Sequence, residues 1–213
     1  MAATATDRIR ARLAKAVEGW VFTPSDLLDL ASPQLVGMTL LKMMRAGEVR
    51  RLARGIYDRP KHHPKLGALS PSPDAIAAAI ARRDGSLVEP SEAVAANLLH
   101  LTEQVPARPE FQTDGRSRRV AVGGMTLRLR KRSRRKIGSI APSSSLVFAG
   151  LRSIGRRHVT SDRVSHLREL LTAKERKALL TDLKKAPRWM HPFLREIAEV
   201  KTRTAKTLRK AQR

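Results

Sequence analysis

The sequence predicts an α+β fold that is predominantly helical, with an N-terminal winged helix-turn-helix, a mixed α/β middle and a helical C-terminal region. Three observations carry this. Two cap-then-proline helix starts, Thr23-Pro24 and Ser32-Pro33, stand close together and lead into the strand-forming stretch around Glu48–Tyr57. An alternating segment is broken by Gly123-Gly124. Helix-start signals then recur after residue 142.

Ile9, Leu13 and Val17 recur every four residues and mark one face of a first helix that ends by Gly19. Thr23 caps a short second helix, Pro24 takes its first position, and Asp26 sits near the positive end of its dipole. Leu27, Leu28 and Leu30 are its expected buried face. A third helix runs from Pro33 to about Ala46 and stops at Gly47. It turns Val36, Leu40, Met43 and Met44 inward and Gln34, Met38, Leu41, Lys42 and Arg45 outward. A short helix, a tight turn and a second helix form a helix-turn-helix, whose second member enters the major groove. Val49, Ile56 and Tyr57 then favour strands, and Arg54-Gly55 supplies the tight turn of a wing. Arg50, Arg51 and Arg54 stand where such a wing meets phosphates.

Residues 61–73, rich in proline, read as a linker between a domain over 1–60 and a second over 74–200. Ser72-Pro73-Asp74 starts a helix with Ile76 and Ile80 on one face, and Ser86–Val88 is a short strand signal. Pro90-Ser91-Glu92 starts another helix through Leu99, with Val94, Leu98 and Leu101 inward. Phe111–Thr113 is a further strand candidate. Residues 119–122 and 125–129 make a hairpin, with Leu127 and Leu129 on one face and Arg128 and Arg130 on the other. Helix signals follow at 145–154, 161–171, 172–185 and 187–200. Thr172 and Glu175 have capping-box spacing. Leu167, Leu170 and Leu171, then Leu179, Leu180 and Leu183, are the expected apolar faces of two of these helices. Residues 201–213 read as a basic tail.

Charge bounds the function. Lys plus Arg number 43 against 19 acids, a net +24. Such a surplus repels itself, and a polyanion relieves it; neutralised nucleic-acid phosphates also release counterions. The excess is +6 over residues 1–66, +6 over 67–137 and +12 over 138–213. Its densest run is Arg128 to Lys136, with seven bases in nine residues, which is either a solvated strand end or a surface that tracks phosphates. A membrane surface is the competing anionic partner, but no long basic amphipathic helix faces Trp and Phe away from its charges. No 18-residue apolar run and no secretory h-region occur, so the expected location is cytoplasmic, with no membrane partner.

The chemistry of catalysis is missing. There is no cysteine, so disulfides and thiol catalysis are excluded. The six histidines (62, 63, 100, 158, 166 and 191) show no metal-ligand spacing. No glycine-rich phosphate loop precedes a helix, and no acid pair suggests a two-metal nuclease. The expectation is a protein that is not an enzyme, with no catalytic residue, cofactor or metal.

The stretch Leu40–Pro60, with RAGEVRRLARGIYDRP, resembles the N-terminal domain of AbiEi-type antitoxins of bacterial abortive-infection toxin–antitoxin pairs. The segment Glu89–Lys131 is similar to the region after the winged helix in one subfamily, through Ala95-Ala96-Asn97-Leu98-Leu99, Thr102–Pro106, Thr113-Asp114-Gly115 and Arg118-Arg119. The resemblance covers about residues 5–140. It implies an antitoxin that counteracts a cognate nucleotidyltransferase-like toxin and represses its own promoter by binding double-stranded DNA repeats. It also implies Gln34, Lys42 and Arg45 as groove-facing and Arg50, Arg51 and Arg54 as wing contacts. Met38, with Arg128 and Arg130, completes the candidate DNA-binding set. Gly37, Met38 and Leu41 depart from the polar pattern usual on a reading helix, which points to weaker base readout or to packing on something else. The helical C-terminal third is the candidate toxin-contacting surface. An RNA-binding accessory factor, an orphan winged-helix regulator and a binder of an acidic protein remain alternatives. Monomer and dimer are both open.

Overall fold

The structure is a computed structural model that describes residues 4–134 and 137–199. The basic tail 201–213, with Arg135 and Lys136 of the basic run, lies outside the described residues. The chain divides into two compact units. The first takes the chain up to Val94 together with Val105–Ser139; the second takes Ala95–Gln104 and the chain from Ile140 onward. The mixture of helices and small sheets is the α+β class expected, with helix predominant.

The first unit opens with α1 (Ala5–Lys15), whose start is fixed by Thr4 and Asp7. The Asp7 carboxylate accepts from the Thr4 N–H (3.0 Å) and hydroxyl (2.6 Å), and the Asp7 N–H donates back to Thr4 Oγ1. Ile9 and Leu13 are buried as expected, but Val17 is 81% exposed. The helix stops at Lys15 because Ala16 turns extended, so Val17 never joins its face. β1 (Val21–Phe22) leads into the short second helix, which is one 3-10 turn at Pro24–Leu27. Asp26 ties this turn by accepting from the Thr23 N–H (2.8 Å) and hydroxyl (3.1 Å). Only Leu27 is fully buried there; Leu30 is partly buried and Leu28 is exposed. A single turn has room to bury one of two consecutive residues, since neighbours point about a third of a turn apart.

α2 (Pro33–Arg45) starts at Ser32, whose hydroxyl accepts from the Leu35 N–H. Val36, Leu40 and Met43 are buried and Met44 packs beside them. β2 (Arg50–Ala53) and β3 (Ile56–Asp58) form a hairpin across Arg54-Gly55, where Gly55 takes φ +70°. β1 joins β3 antiparallel, giving a sheet ordered β1-β3-β2. Trp20, Phe22 and Tyr57 stack in succession (centroids 5.0 and 5.9 Å apart) over the core formed by Ile9, Leu13, Leu27, Val36, Leu40, Met43 and Val49.

The stretch expected as a linker is instead a small hairpin, β4 (His62–His63) and β5 (Gly67–Ala68). It is held at its base, where the Leu69 N–H donates to the Lys61 carbonyl (2.8 Å) and Arg50 donates to the Leu69 carbonyl (2.7 Å). α3 (Pro73–Asp84) buries Ile76 and Ile80 as expected. It is tied to the first sheet by Arg82, which donates to the Val21 carbonyl (2.8 Å) and pairs with Asp26 (3.1 Å). These bonds are why no domain boundary falls at 61–73.

β6 (Val88–Pro90) follows, two residues later than its signal, and α4 (Glu92–Leu98) runs from the first unit into the second. β7 (Glu110–Thr113), β8 (Arg118–Val122) and β9 (Met125–Lys131) complete a four-stranded sheet ordered β6-β7-β9-β8. β8 and β9 form the expected hairpin, while β7 and β9 pair in parallel. Phe111, Val122, Leu127 and Leu129 are buried on one face. Arg118, on that same face, pairs with Asp84 at the end of α3.

The second unit holds α5 (Pro142–Ile154), α6 (Ser161–Leu170), α7 (Ala173–Thr181) and α8 (His191–Ala198). The capping box is present: Glu175 accepts from the Thr172 N–H (2.9 Å) and hydroxyl (2.7 Å). The core gathers Leu99, Leu101, Val147, Phe148, Leu151, Leu167, Leu179, Met190, Leu194 and Ile197. Leu170 and Leu180, expected inward, are exposed. Leu180 lies about 100° round α7 from the buried Leu179, and Leu170 precedes the buried Leu171 at the end of α6, so each is turned to the solvent side of its helix.

Candidate nucleic-acid interface

The outward face of α2 carries Gln34, Met38, Leu41, Lys42 and Arg45, all exposed. Spacings of three and four residues place them on one side of the helix. Lys42 and Arg45 lie in its last turn, where cations complement the negative end of the dipole. Among the described residues no hydrogen bond or ion pair engages either side chain, so both are available to an anion. Gly37 is exposed on the same side, and a side chain there would meet nothing within 4 Å.

The hairpin behind α2 separates its three arginines. Arg51 and Arg54 are exposed and, among the described residues, unpaired. Arg50 is different. Its Nε and Nη2 donate to the two carboxylate oxygens of Asp58 (3.1 and 2.6 Å), and Nη2 also reaches the Leu69 carbonyl. Asp58 in turn holds the Arg50 guanidinium even more firmly in its charged form. Arg50 was expected as a wing contact; its Nε and Nη2 donors are instead committed inside the fold, which sets it apart from Arg51 and Arg54.

On the second sheet Arg128 and Arg130 are exposed, as the alternation required, while Leu127 and Leu129 are buried. Both arginines share one acid: Arg128 lies 3.6 Å and Arg130 3.2 Å from Glu110. Sequence reasoning missed four participants here. Arg108, Glu110 and Arg119 join Thr126 and Arg128 around a cleft of about 360 Å³ on the outer face of the sheet. Arg119 was legible by counting outward from the Gly123-Gly124 turn, which sets Arg119 opposite Arg128. Glu110 was not, because it arrives through the parallel pairing of β7 with β9.

Among the described residues there is no group of three or more His, Asp or Glu arranged to hold a metal ion. No described helix is long and apolar enough to cross a membrane. His166 Nε2 donates to the Leu99 carbonyl (3.0 Å) and His191 Nε2 to the Ala186 carbonyl (3.1 Å), which are structural contacts.

Residues 8–179 match the family described as a family of unknown function, DUF6088. The chain belongs to the DUF6088 family. The match spans the helix α2, both hairpins and the second sheet, so every candidate contact of this DUF6088 chain lies inside it. No curated protein matches the DUF6088 chain. Among solved structures it is similar to the crystal structure of the RV2827C protein from Mycobacterium tuberculosis, at 15% identity, with 91% of this chain and 75% of that chain covered and a TM-score of 0.39. That likeness is too slight to carry the fold or role of one to the other.

Proposed function

We propose that this chain binds duplex DNA sequence-specifically, with α2 in the major groove and the β2–β3 hairpin on the flanking phosphates. The observation that carries the reading is the pairing of two sets of free cations on adjoining elements: Lys42 and Arg45 on α2, and Arg51 and Arg54 on the hairpin. The order α1, β1, short helix, α2, β2, β3, closed by a β1-β3-β2 sheet, is the order a winged helix-turn-helix requires. In that arrangement phosphate contacts fix the register and α2 reads base edges. Lys42 and Arg45 suit guanine, Gln34 suits adenine, and Met38 or Leu41 suits a thymine methyl.

Within this reading the DNA is the chain's own promoter, and the protein is the antitoxin of a nucleotidyltransferase-like toxin. The resemblance of Leu40–Pro60 and Glu89–Lys131 to AbiEi-type antitoxins supports that role. The helical unit, with Leu170 and Leu180 exposed, is the proposed toxin-contacting part.

The test is a gel-shift titration against the duplex immediately upstream of the gene and a scrambled duplex of equal length, at two salt concentrations. A preference of about tenfold or more for the native duplex is expected, since specific sites exceed non-specific ones by large ratios. Equal, steeply salt-dependent binding to both rejects sequence-specific repression. Stronger competition by structured RNA than by duplex DNA would transfer the reading to RNA.

A further inference from the structure

We propose that the cleft on the outer face of the β6-β7-β9-β8 sheet is a phosphate-recognition site, and that it takes a backbone phosphate of the same duplex held by α2 and the β2–β3 hairpin. The proposal rests on that DNA-binding reading for its occupant, and on the cleft's own charge for its chemistry.

The register aligns one row across three strands. Glu110 of β7 stands beside Arg128 of β9, and Arg128 stands opposite Arg119 of β8. Like charges directly opposite on neighbouring strands repel, and this pair is held there by the backbone ladder on either side. Two-residue alternation brings Arg108 to the same face beside Thr126, because Pro109 is buried and its carbonyl accepts from the Arg128 N–H (2.9 Å). Three guanidinium groups therefore converge on one opening with a single acid. Glu110 is already divided between Arg128 and Arg130. Among the described residues Arg108 and Arg119 have no hydrogen bond or ion pair at all.

Such a site suits one anion with several acceptor oxygens. A phosphodiester supplies it, since its oxygens accept from planar guanidinium forks, and the Thr126 hydroxyl adds a donor. The occupant is a phosphate of nucleic acid because the neighbouring surface is made for one. β8 and β2 belong to the same unit and their backbones approach within 8 Å, so Arg119 and Arg51 stand on adjoining strands. A duplex lying on the hairpin then passes close to the sheet. An anion held by Arg108, Arg119 and Arg128 also relieves the repulsion that the register imposes.

Glu110 acts as the regulator of the site's strength. It occupies donors that the phosphate would use, so its removal frees Arg128 and Arg130.

The test uses the full chain and both duplexes, native and scrambled, titrated over a range of salt. Arg119→Gln with Arg128→Gln is expected to flatten the slope of log affinity against log salt by about one unit for each phosphate released, equally on both duplexes. Glu110→Gln is expected to do the reverse, tightening binding and steepening the slope. An unchanged slope in the double variant with unchanged affinity in Glu110→Gln overturns the cleft, even where the wild type prefers its native duplex. Should the double variant misfold, Glu110→Gln alone decides, and weaker or equal binding rejects the proposal. If the wild type binds both duplexes equally, sequence-specific repression fails while the slopes still test the cleft. Displacement of the duplex by millimolar inorganic phosphate from the wild type but not from the double variant would assign the cleft to free phosphate and overturn the backbone assignment.

Discussion

Arg50 and Asp58 are register partners on β2 and β3 and close a two-pronged ion pair, with Nη2 2.6 Å from Oδ2 and Nε 3.1 Å from Oδ1. Asp58 is only 1% exposed, whereas a third of the Arg50 side chain meets solvent. Such a pair is asymmetric in its consequences. Removing the arginine strands a buried carboxylate and an unpaired Leu69 carbonyl, a loss of about 2–4 kcal/mol after allowance for the exposed part of Arg50. Arg50→Ala is therefore expected to lower the urea midpoint sharply. Arg51→Ala, one residue along and exposed, should stay within about 0.5 kcal/mol of wild type. Equal stability of the two variants would refute the structural assignment of Arg50.

In the proposed DNA complex, base readers and phosphate contacts are expected to respond differently to substitution. Lys42→Ala or Arg45→Ala is expected to weaken binding to the native duplex by about 1–3 kcal/mol and to relax preference at one base position. Arg51→Ala should weaken native and scrambled duplexes alike and flatten the salt slope by about one unit. Fluorescence-anisotropy titrations of each variant on both duplexes measure this. Identical effects from all three would mean that α2 is not the reader.

How much of this was legible in the sequence follows from the range of the interactions concerned. The hairpin turn at Arg54-Gly55, the α2 stripe and the Thr172–Glu175 cap depend on residues a few positions apart, and periodicity and capping rules reach that far. Arg50 looked the same as Arg51 because only the fold brings Asp58 beneath one and not the other. The stretch 61–73 looked like a linker because its prolines were visible and the Arg50–Leu69 bond was not. The cleft needed a parallel pairing, β7 with β9, that no local pattern encodes.

Two carboxylates of the second unit contribute to the acid limb of stability. Burial pushes the Asp182 carboxyl up, but the Ala141 N–H (2.9 Å) and the Lys185 ammonium (3.4 Å) outweigh it and hold the group below its ordinary range. The Thr172 hydroxyl and N–H hold Glu175 below its ordinary range too. A carboxylate with a lowered folded pKa contributes stability that is complete above its unfolded value, about 4, and lost as pH falls through the folded value. Stability should be flat from pH 7 to about 5 and fall below about 4. Each unit has one tryptophan, Trp20 in the first and Trp189 in the second, so a Trp20→Phe chain reports the second unit alone. In that background Asp182→Asn should lower stability at pH 7 by about 1 kcal/mol and shrink the acid loss. An undiminished acid loss in Asp182→Asn would assign the limb to other groups.

Gly150 tests the packing of the same unit. A Cβ on Gly150 would stand 2.7 Å from Leu99 Cδ1 and 3.3 Å from Leu101 Cδ1, with the Ala95 carbonyl behind at 3.5 Å. Two effects then oppose each other. Alanine gains about 1 kcal/mol over glycine within a helix, while the group that must shift to admit its Cβ is the end of the Leu99 side chain and not backbone. Gly150→Ala should therefore be close to neutral. Valine adds two methyl groups against a backbone carbonyl that cannot retreat, so Gly150→Val should cost about 1–3 kcal/mol. Shortening Leu99 empties the space that valine invades. Leu99→Ala with Gly150→Val should accordingly lose less than the sum of the two single variants, by about 0.5 kcal/mol or more. Strict additivity in a urea-denaturation double-mutant cycle would show that α5 does not approach Leu99 in this way.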